Sequence, residues 1–463
     1  MAAAVSKRRG SGARDMTEGP IALHLLLFSL PLLAGNVFQQ FYSTVDSVVV
    51  GNFVGPEALG AVTANLPATM MLVSLFVGFS TGASVMISQY FGAKNEALVR
   101  KTIHTAVLAT ALLSIVMSVL GVLISPALVR FMKTPPEIAE LAVVYLRIFF
   151  AGLSGLMLYN MGSAILRAVG DSRRPLYFLI FCSLANVVLD LLFVIQFRMG
   201  VAGVAYATIL AQFLSTILVF WVLMRSPEVY GVRLKELHLD PAMLSRIVQL
   251  GLPAGIQMAL TSFSNIFVMS YINSFGAGST SGWGAYQRID AFTVLPVMSI
   301  GLAVTTFVGQ NAGAGKFDRI RKSVRISILM GLAVTVAISL TLYILAPQAI
   351  GLFNRDPEVM KYGVLFLRLL GPLDFLVCFN QCYAGTLRGL GDARAPMVIM
   401  LFSFVFFRQA YLFVVSRLTP AIEPIALGYP LGWAMCSVIM FFYFRYSRWE
   451  EKLTGQAGLS SGR

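Results

Sequence analysis

Charge is what this chain of 463 residues has least of: Asp, Glu, Lys and Arg make up 12% of it, against 57% hydrophobic residues and a mean hydropathy of +0.78. No charged residue stands between Glu57 and Lys94, nor between Arg246 and Arg288. A helix that crosses a bilayer needs roughly 20 predominantly apolar residues, and these gaps greatly exceed that, so a soluble globular protein is excluded. Histidine and cysteine are scarce too, with three and four copies. His24, His104 and His238 are scattered, and Cys182, Cys378, Cys382 and Cys436 fall in apolar stretches without neighbouring ligands, which excludes a zinc-type centre. The run Gly313-Ala314-Gly315-Lys316 has Gln310 where a phosphate loop needs its first glycine and Phe317 where it needs Ser or Thr. With no nucleotide loop, nucleophile set or metal set, the chain is not read as an enzyme and carries no cofactor. The formal charge of +14 does not indicate nucleic acid, because the basic residues punctuate the hydrophobic runs instead of forming one face.

What the chain does have is a repeat. Nineteen residues from Gln89 to Pro175 recur 221 positions later without a gap, including Gln89, Gly92 and Ala93 as Gln310, Gly313 and Ala314. The run Leu166, Arg167, Gly170, Asp171, Arg173 and Pro175 returns as Leu387, Arg388, Gly391, Asp392, Arg394 and Pro396. Hydropathy predicts about twelve spans, 21–50, 58–88, 99–125, 138–166, 175–197 and 201–224 in the first half, and 247–273, 284–311, 323–346, 359–387, 396–417 and 423–445 in the second. Six spans per half give both copies the same orientation, so the fold class is an all-α membrane protein with twelve transmembrane helices in two parallel six-helix repeats around a central cavity. Of the 35 Lys and Arg, 25 fall in alternate connections and the termini and 6 on the opposite side, which places both termini in the cytoplasm. Residues 1–20, with Lys7, Arg8, Arg9 and Arg14, are read as a disordered basic arm facing anionic lipid and not as a secretory signal. The domains follow as an N-lobe over 21–224, a cytoplasmic linker over 225–246, a C-lobe over 247–446 and a polar tail over 447–463.

Carboxylates inside spans are costly, about 2.5–3.5 kcal/mol each at mid-membrane, and so point to function. Asp46, Asp190, Asp290 and Asp374 lie in spans 1, 5, 8 and 10. Asn36, Gln39, Ser43 and Asp46 share one helical face; Asn186 and Asp190, and Thr208 and Gln212, are i, i+4 pairs. If these faces meet, two carboxylates, an amide and a hydroxyl converge on a pocket. Oxygen ligands suit a hard cation such as Na+, and two carboxylates in low dielectric cannot both ionise cheaply, so one should hold a proton. At the repeat offset Asn186 maps to Phe407 and Asp190 to Tyr411, while Asp46 maps to Val268, which confines the cluster to the first half. Asp290 has Arg288 close by and either pairs within the bundle or serves function; Asp374 either pairs with Arg408 of span 11 or meets the substrate directly. Asn36, Gln39, Asn160, Gln257 and Asp374 are the candidate substrate-facing groups, and Pro31, matched by Pro253, the candidate hinge of span 1.

Pro31, Val45-Asp46 and Gly51, then Leu166-Arg167-Ala168-Val169-Gly170-Asp171, Asn186 and Asp190, and Leu387-Arg388-Gly389 with Gly391-Asp392, together resemble the multidrug and toxic compound extrusion (MATE) transporters, of prokaryotic type. The resemblance covers roughly residues 21–447. It implies a two-lobed bundle, open to one side at a time, that exports organic cations and other amphipathic compounds in exchange for Na+ or H+ from a prokaryotic plasma membrane, as a monomer. It also implies a coupling site at Asp46, Asn186, Asp190 and Thr208, with Na+ as one occupant. Some branches carry a second-lobe site with a span 7 glutamate; here span 7 has no carboxylate, and Asp374 lies about one turn before the matching place. One alternative is a lipid-linked oligosaccharide flippase, which would favour a basic cavity. Another is a passive channel, which gives no reason for paired aspartates in one lobe.

Overall fold

The computed structural model describes residues 12–451 and 453, and these are almost entirely helical. The first half holds α1 (Ile21–Val49), α2 (Pro56–Gly92), α3 (Glu96–Phe131), α4 (Pro136–Ala151), α5 (Leu153–Ala168), α6 (Arg173–Leu191) and α7 (Gly200–Arg225). The second half opens with α8 (Pro241–Asn273), α9 (Ala277–Gly313), α10 (Phe317–Ile344), α11 (Ala346–Gly351) and α12 (Pro357–Leu370). It closes with α13 (Phe375–Gly389), α14 (Arg394–Leu401), α15 (Arg408–Leu418), α16 (Ile422–Ala426) and α17 (Gly428–Tyr446). Among the described residues ten segments are long and apolar enough to cross a membrane; two bent pairs, α4 with α5 and α12 with α13, bring the number to twelve if each pair is one span. The bends, 45° and 48°, fall at Gly152 and at Asp374, matched places in the two copies.

Helix starts follow local chemistry. The side chains of Asn95, Asp240 and Asp356 accept backbone N–H groups at the first turns of α3, α8 and α12, and α4, α8 and α12 open on proline. The turns after α5 and α13 need a left-handed residue, which the repeat supplies as Gly170 (φ 90°) and Gly391 (φ 86°). After α2 the same need is met by Lys94 (φ 55°), and after α9 by Gly315 (φ 67°).

The lobes meet through glycine. Gly78 and Gly82 of α2 lie so close to Gly251 and Gly255 of α8 that a Cβ on any of them would enter the partner backbone. A Cβ on Gly92 would strike the Gln310 carbonyl, and one on Gly313 the Gln89 carbonyl, so the pseudo-two-fold axis passes between these pairs. Away from these crossings the same helical faces are exposed: Met71, two turns before Gly78, is 53% accessible, and Ser262, two turns after Gly255, is exposed. The lobes therefore close at the linker end and part toward the other. Near the closed end they also trade first turns. Leu25 and Phe28 of α1 pack into the second lobe's core with Val304 and Phe307, and Ile247 of α8 into the first lobe's with Ile103 and Met161.

Two expectations change. The disordered arm was expected over residues 1–20; residues 1–11, with Lys7, Arg8 and Arg9, lie outside the described residues, but 12–20 are held in place. The Arg14 N–H donates to the Val169 carbonyl (2.9 Å), the Met16 N–H to Gln310 Oε1 (2.9 Å), and Arg319 Nη2 to the Met16 carbonyl (3.0 Å). Met16 is 1% exposed in the second lobe's core. A polar segment becomes ordered here because distant side chains satisfy its backbone and one apolar anchor is buried. The linker is also shorter than expected, since α8 already starts at Pro241. Its residues grip α3: the Arg233 N–H donates to His104 Nε2 (3.0 Å), Thr105 Oγ1 to the His238 carbonyl (3.2 Å), and Lys101 Nζ sits 2.6 Å from Asp240. In the tail, Trp449 stacks over Phe444 (5.7 Å) and meets Phe317 edge-on (5.9 Å).

Candidate functional site

In the first lobe α1 and α6 pack side by side, with Gly35 letting Leu176 and Leu179 approach. This brings Asp46, on the last turns of α1, into interaction range of Asp190 on α6. Asp190 is fully buried and Asn186, one turn before it, is 2% exposed. Both Asp190 oxygens, both polar atoms of Asn186 and Asp46 Oδ1 are buried without a hydrogen-bond partner among the described residues. Such a concentration of orphaned acceptors is costly unless something positive occupies it. Beside them, between α6 and α7, lies a cavity of about 20 Å³ lined by Tyr42, Ser183, Asn186, Thr208, Gln212 and Ser215, enough for one water-sized particle. Thr208 donates its hydroxyl proton to the Val204 carbonyl (3.0 Å), which leaves its oxygen lone pairs to accept or ligate.

The expected four residues are thus brought together, while the rest of the shared α1 face divides. Asn36 Nδ2 donates to Ser299 Oγ on α9 (3.2 Å), tying the lobes, and Gln39 is exposed beside Tyr42. Asn160 Nδ2 donates to its own helix at Leu156 (2.9 Å), and Gln257 Nε2 faces Met400 Sδ (2.7 Å) with its Oε1 unpartnered. Helix α1 runs unbroken through Pro31 and changes only after Val49, in a π-helical turn over Val50–Val54.

The second lobe departs from the sequence reading. Asp374 is 2% exposed at the bend before α13 and faces Asp290 of α9, which also meets the Tyr286 hydroxyl. Carboxylate pairing is therefore not confined to the first half. Arg408 does not pair with Asp374: its Nη2 donates to Ser264 Oγ and Asn265 Oδ1, both at 2.8 Å, and its guanidinium lies 4.7 Å from the Tyr429 ring centre. Arg288 is exposed. Arg288 is only two residues from Asp290 on the same helix and so points away, while Arg408 is taken up by the polar residues of α8. Also unforeseen were Tyr42, Ser183 and Ser215 on the small cavity; Ser183 lies three residues before Asn186, a signal the same-face rule could have supplied.

A two-lobed bundle of twelve helical spans, sealed at one end by matched glycine crossings and carrying a carboxylate pair with one buried member in each lobe, defines a multi-pass membrane protein built to pass solutes. The chain belongs to the MatE family, whose model matches residues 31–192 and 253–412, one stretch per repeat; this is a family of transporters, not of enzymes. It is similar to the probable multidrug resistance protein YpnP of Bacillus subtilis, 32% identical over 439 residues that cover 95% of this chain and 98% of that protein. YoeA of the same organism, also a probable multidrug resistance protein, is 30% identical over 436 residues, covering 92% and 94%. The solved outward-facing conformation of a multidrug resistance MATE family transporter of the MOP superfamily shares the fold, with a TM-score of 0.88 and 22% identity over 95% of this chain and 98% of that one.

Proposed function

We propose that this protein is a secondary antiporter that exports organic cations and other amphipathic compounds in exchange for Na+ or H+, coupled at Asp46, Asn186, Asp190 and Thr208. The observation that carries the reading is the facing pair Asp46 and Asp190, with orphaned oxygens beside a cavity of about 20 Å³. That volume suits a single small ion and excludes an organic passenger, so the passenger belongs to the cleft between the lobes, beside Gln39. With the pair empty, repulsion between two carboxylates in low dielectric favours any cation; one proton or Na+ leaves a single negative charge, relieves the repulsion and lets α1 and α6 pack more closely. Because Asn36 on the same helix holds Ser299 of the other lobe, a shift of α1 changes the lobe contact as well.

The multidrug resistance names of the relatives support an efflux direction. The charge bias of the connections supports both termini in the cytoplasm of a prokaryotic inner membrane, so that the cleft away from the linker faces outward. Each elementary charge moved down 100 mV supplies about 2.3 kcal/mol, enough for a concentration ratio of some tens.

Proteoliposomes loaded with a fluorescent organic cation test this under an imposed Na+ or proton gradient. Efflux should follow one gradient and collapse in Asp46→Asn; a variant that transports as well as the parent overturns the mechanism. Repeating the assay without Na+ while pH is varied separates the two ions.

A further inference from the structure

The turn that opens α6, with two arginines, and the segment before α1, with a third, surround a cavity of about 440 Å³ that the transport reading leaves unused. Asp171, buried, accepts the backbone N–H groups of Arg173 (3.1 Å) and Arg174 (3.2 Å) with Oδ1, and its Oδ2 lies 3.4 Å from Arg174 Nε. That carboxylate accounts for one guanidinium. Arg173, exposed, and Arg14, half-buried on the segment that crosses the lobes, converge on the same cavity, and among the described residues neither makes an ion pair within 4 Å; the nearby Asp171 carboxylate is turned to Arg174. Burial, and then the charge of Arg173, holds the Arg14 guanidinium below its ordinary value, as expected for like charges awaiting an anion.

The surroundings name the anion. Below the cavity α1 presents Leu23, Leu26 and Leu30 on one exposed face, and α6 presents Tyr177, Phe181 and Leu184, the last 62% exposed. Exposed apolar faces on two packed spans, joined through Leu27, Phe28 and Tyr177 to an arginine-lined cavity, have the form of an acyl-chain track beneath a headgroup site. We infer that this cavity binds the phosphate headgroup of an anionic phospholipid, with its chains along the apolar faces of α1 and α6. The repeat supplies a built-in control. The second copy of the turn, Gly391-Asp392-Ala393-Arg394, has Ala395 where the first has Arg174, and its Asp392 Oδ2 already accepts the Tyr443 hydroxyl (2.6 Å).

Purified protein in neutral detergent, titrated with dioctanoyl phosphatidylglycerol and read by native mass spectrometry and thermal shift, tests the site. The parent should bind and gain melting temperature. Arg14→Gln with Arg173→Gln should weaken binding roughly ten- to thirtyfold, from about 1 kcal/mol per basic side chain. Arg173→Gln alone should weaken it several-fold, and since that side chain is exposed, its melting temperature without lipid should match the parent's. Arg394→Gln should leave binding unchanged. Parent-like affinity in the double variant overturns the site. Equal binding of dioctanoyl phosphatidylcholine overturns its charge basis, and inorganic phosphate binding as tightly as the lipid overturns the membrane source.

Discussion

The first lobe sets Asp46 against Asp190 among an amide, hydroxyls and a one-particle cavity, whereas the second sets Asp290 against Asp374 beside Tyr286 and Tyr429. The scaffold around them is the same in both halves: the bends at Gly152 and Asp374, the left-handed turns at Gly170 and Gly391, and the crossings at Gly92 and Gly313. Duplication has therefore fixed where backbones approach and turn, while the buried chemistry is free to differ. In the second lobe the neighbours of the pair are tyrosines, and Arg408 is taken up by Ser264, Asn265 and the Tyr429 ring. In the first lobe an amide, hydroxyls and a cavity of about 20 Å³ adjoin the pair.

The largest effect should come from Asp190→Asn. If the first lobe alone supplies coupling, gradient-driven efflux in proteoliposomes falls about ten- to hundredfold, since removing the shared ion removes the coupling energy. Next come Gly92→Val and Gly313→Val, where the two halves should behave alike: each places branched carbons into the opposite backbone and destabilises the closed linker end by about 1–3 kcal/mol. Thermal unfolding and cysteine cross-linking between α2 and α9 should report similar losses, and unequal ones would break the symmetry of the crossing. Asp374→Asn should cost only a few-fold in efflux rate; a loss as deep as that of Asp190→Asn would show that both lobes couple.

The smallest effect concerns the duplicated basic pair, Arg100-Lys101 and Arg321-Lys322. The first copy grips the linker through Lys101 and Asp240, and the second grips the tail through Arg321 and Glu450. The hydrogen bond from Lys101 holds the Asp240 carboxyl below the usual carboxylate range. A lowered carboxyl contributes stability above its unfolded value, about 3.9, and loses it as pH falls through its folded value. Lys101→Met should thus melt slightly below the parent at pH 7, and the gap should close under acid conditions below about pH 4.

Much of this architecture was legible because it is local or periodic. Apolar length marked the spans, the constant offset of 221 marked the halves, and the spacing of Asn186 and Asp190 marked a polar face. What escaped depends on which faces meet. Nothing in the chain order links Asp374 to Asp290 rather than to Arg408; that choice is made by the bend before α13 and by the polar residues of α8 that hold the arginine. Residues 12–20 escaped for a related reason. Glycine, serine and arginine read as a solvated arm, and it takes distant groups, among them the side chains of Gln310, Asn311 and Arg319, to give their backbone a place to bond.

That segment has a consequence for how the chain is assembled. Met16 and its partner Gln310 are 294 positions apart, so the residues that clasp the two lobes leave the ribosome long before their seat exists. The clasp is threaded first and fastened last. A ribosome stalled within α8 would release a first bundle with its leading strand unmoored, open to protease attack ahead of α1, and synthesis through α10 should abolish that sensitivity.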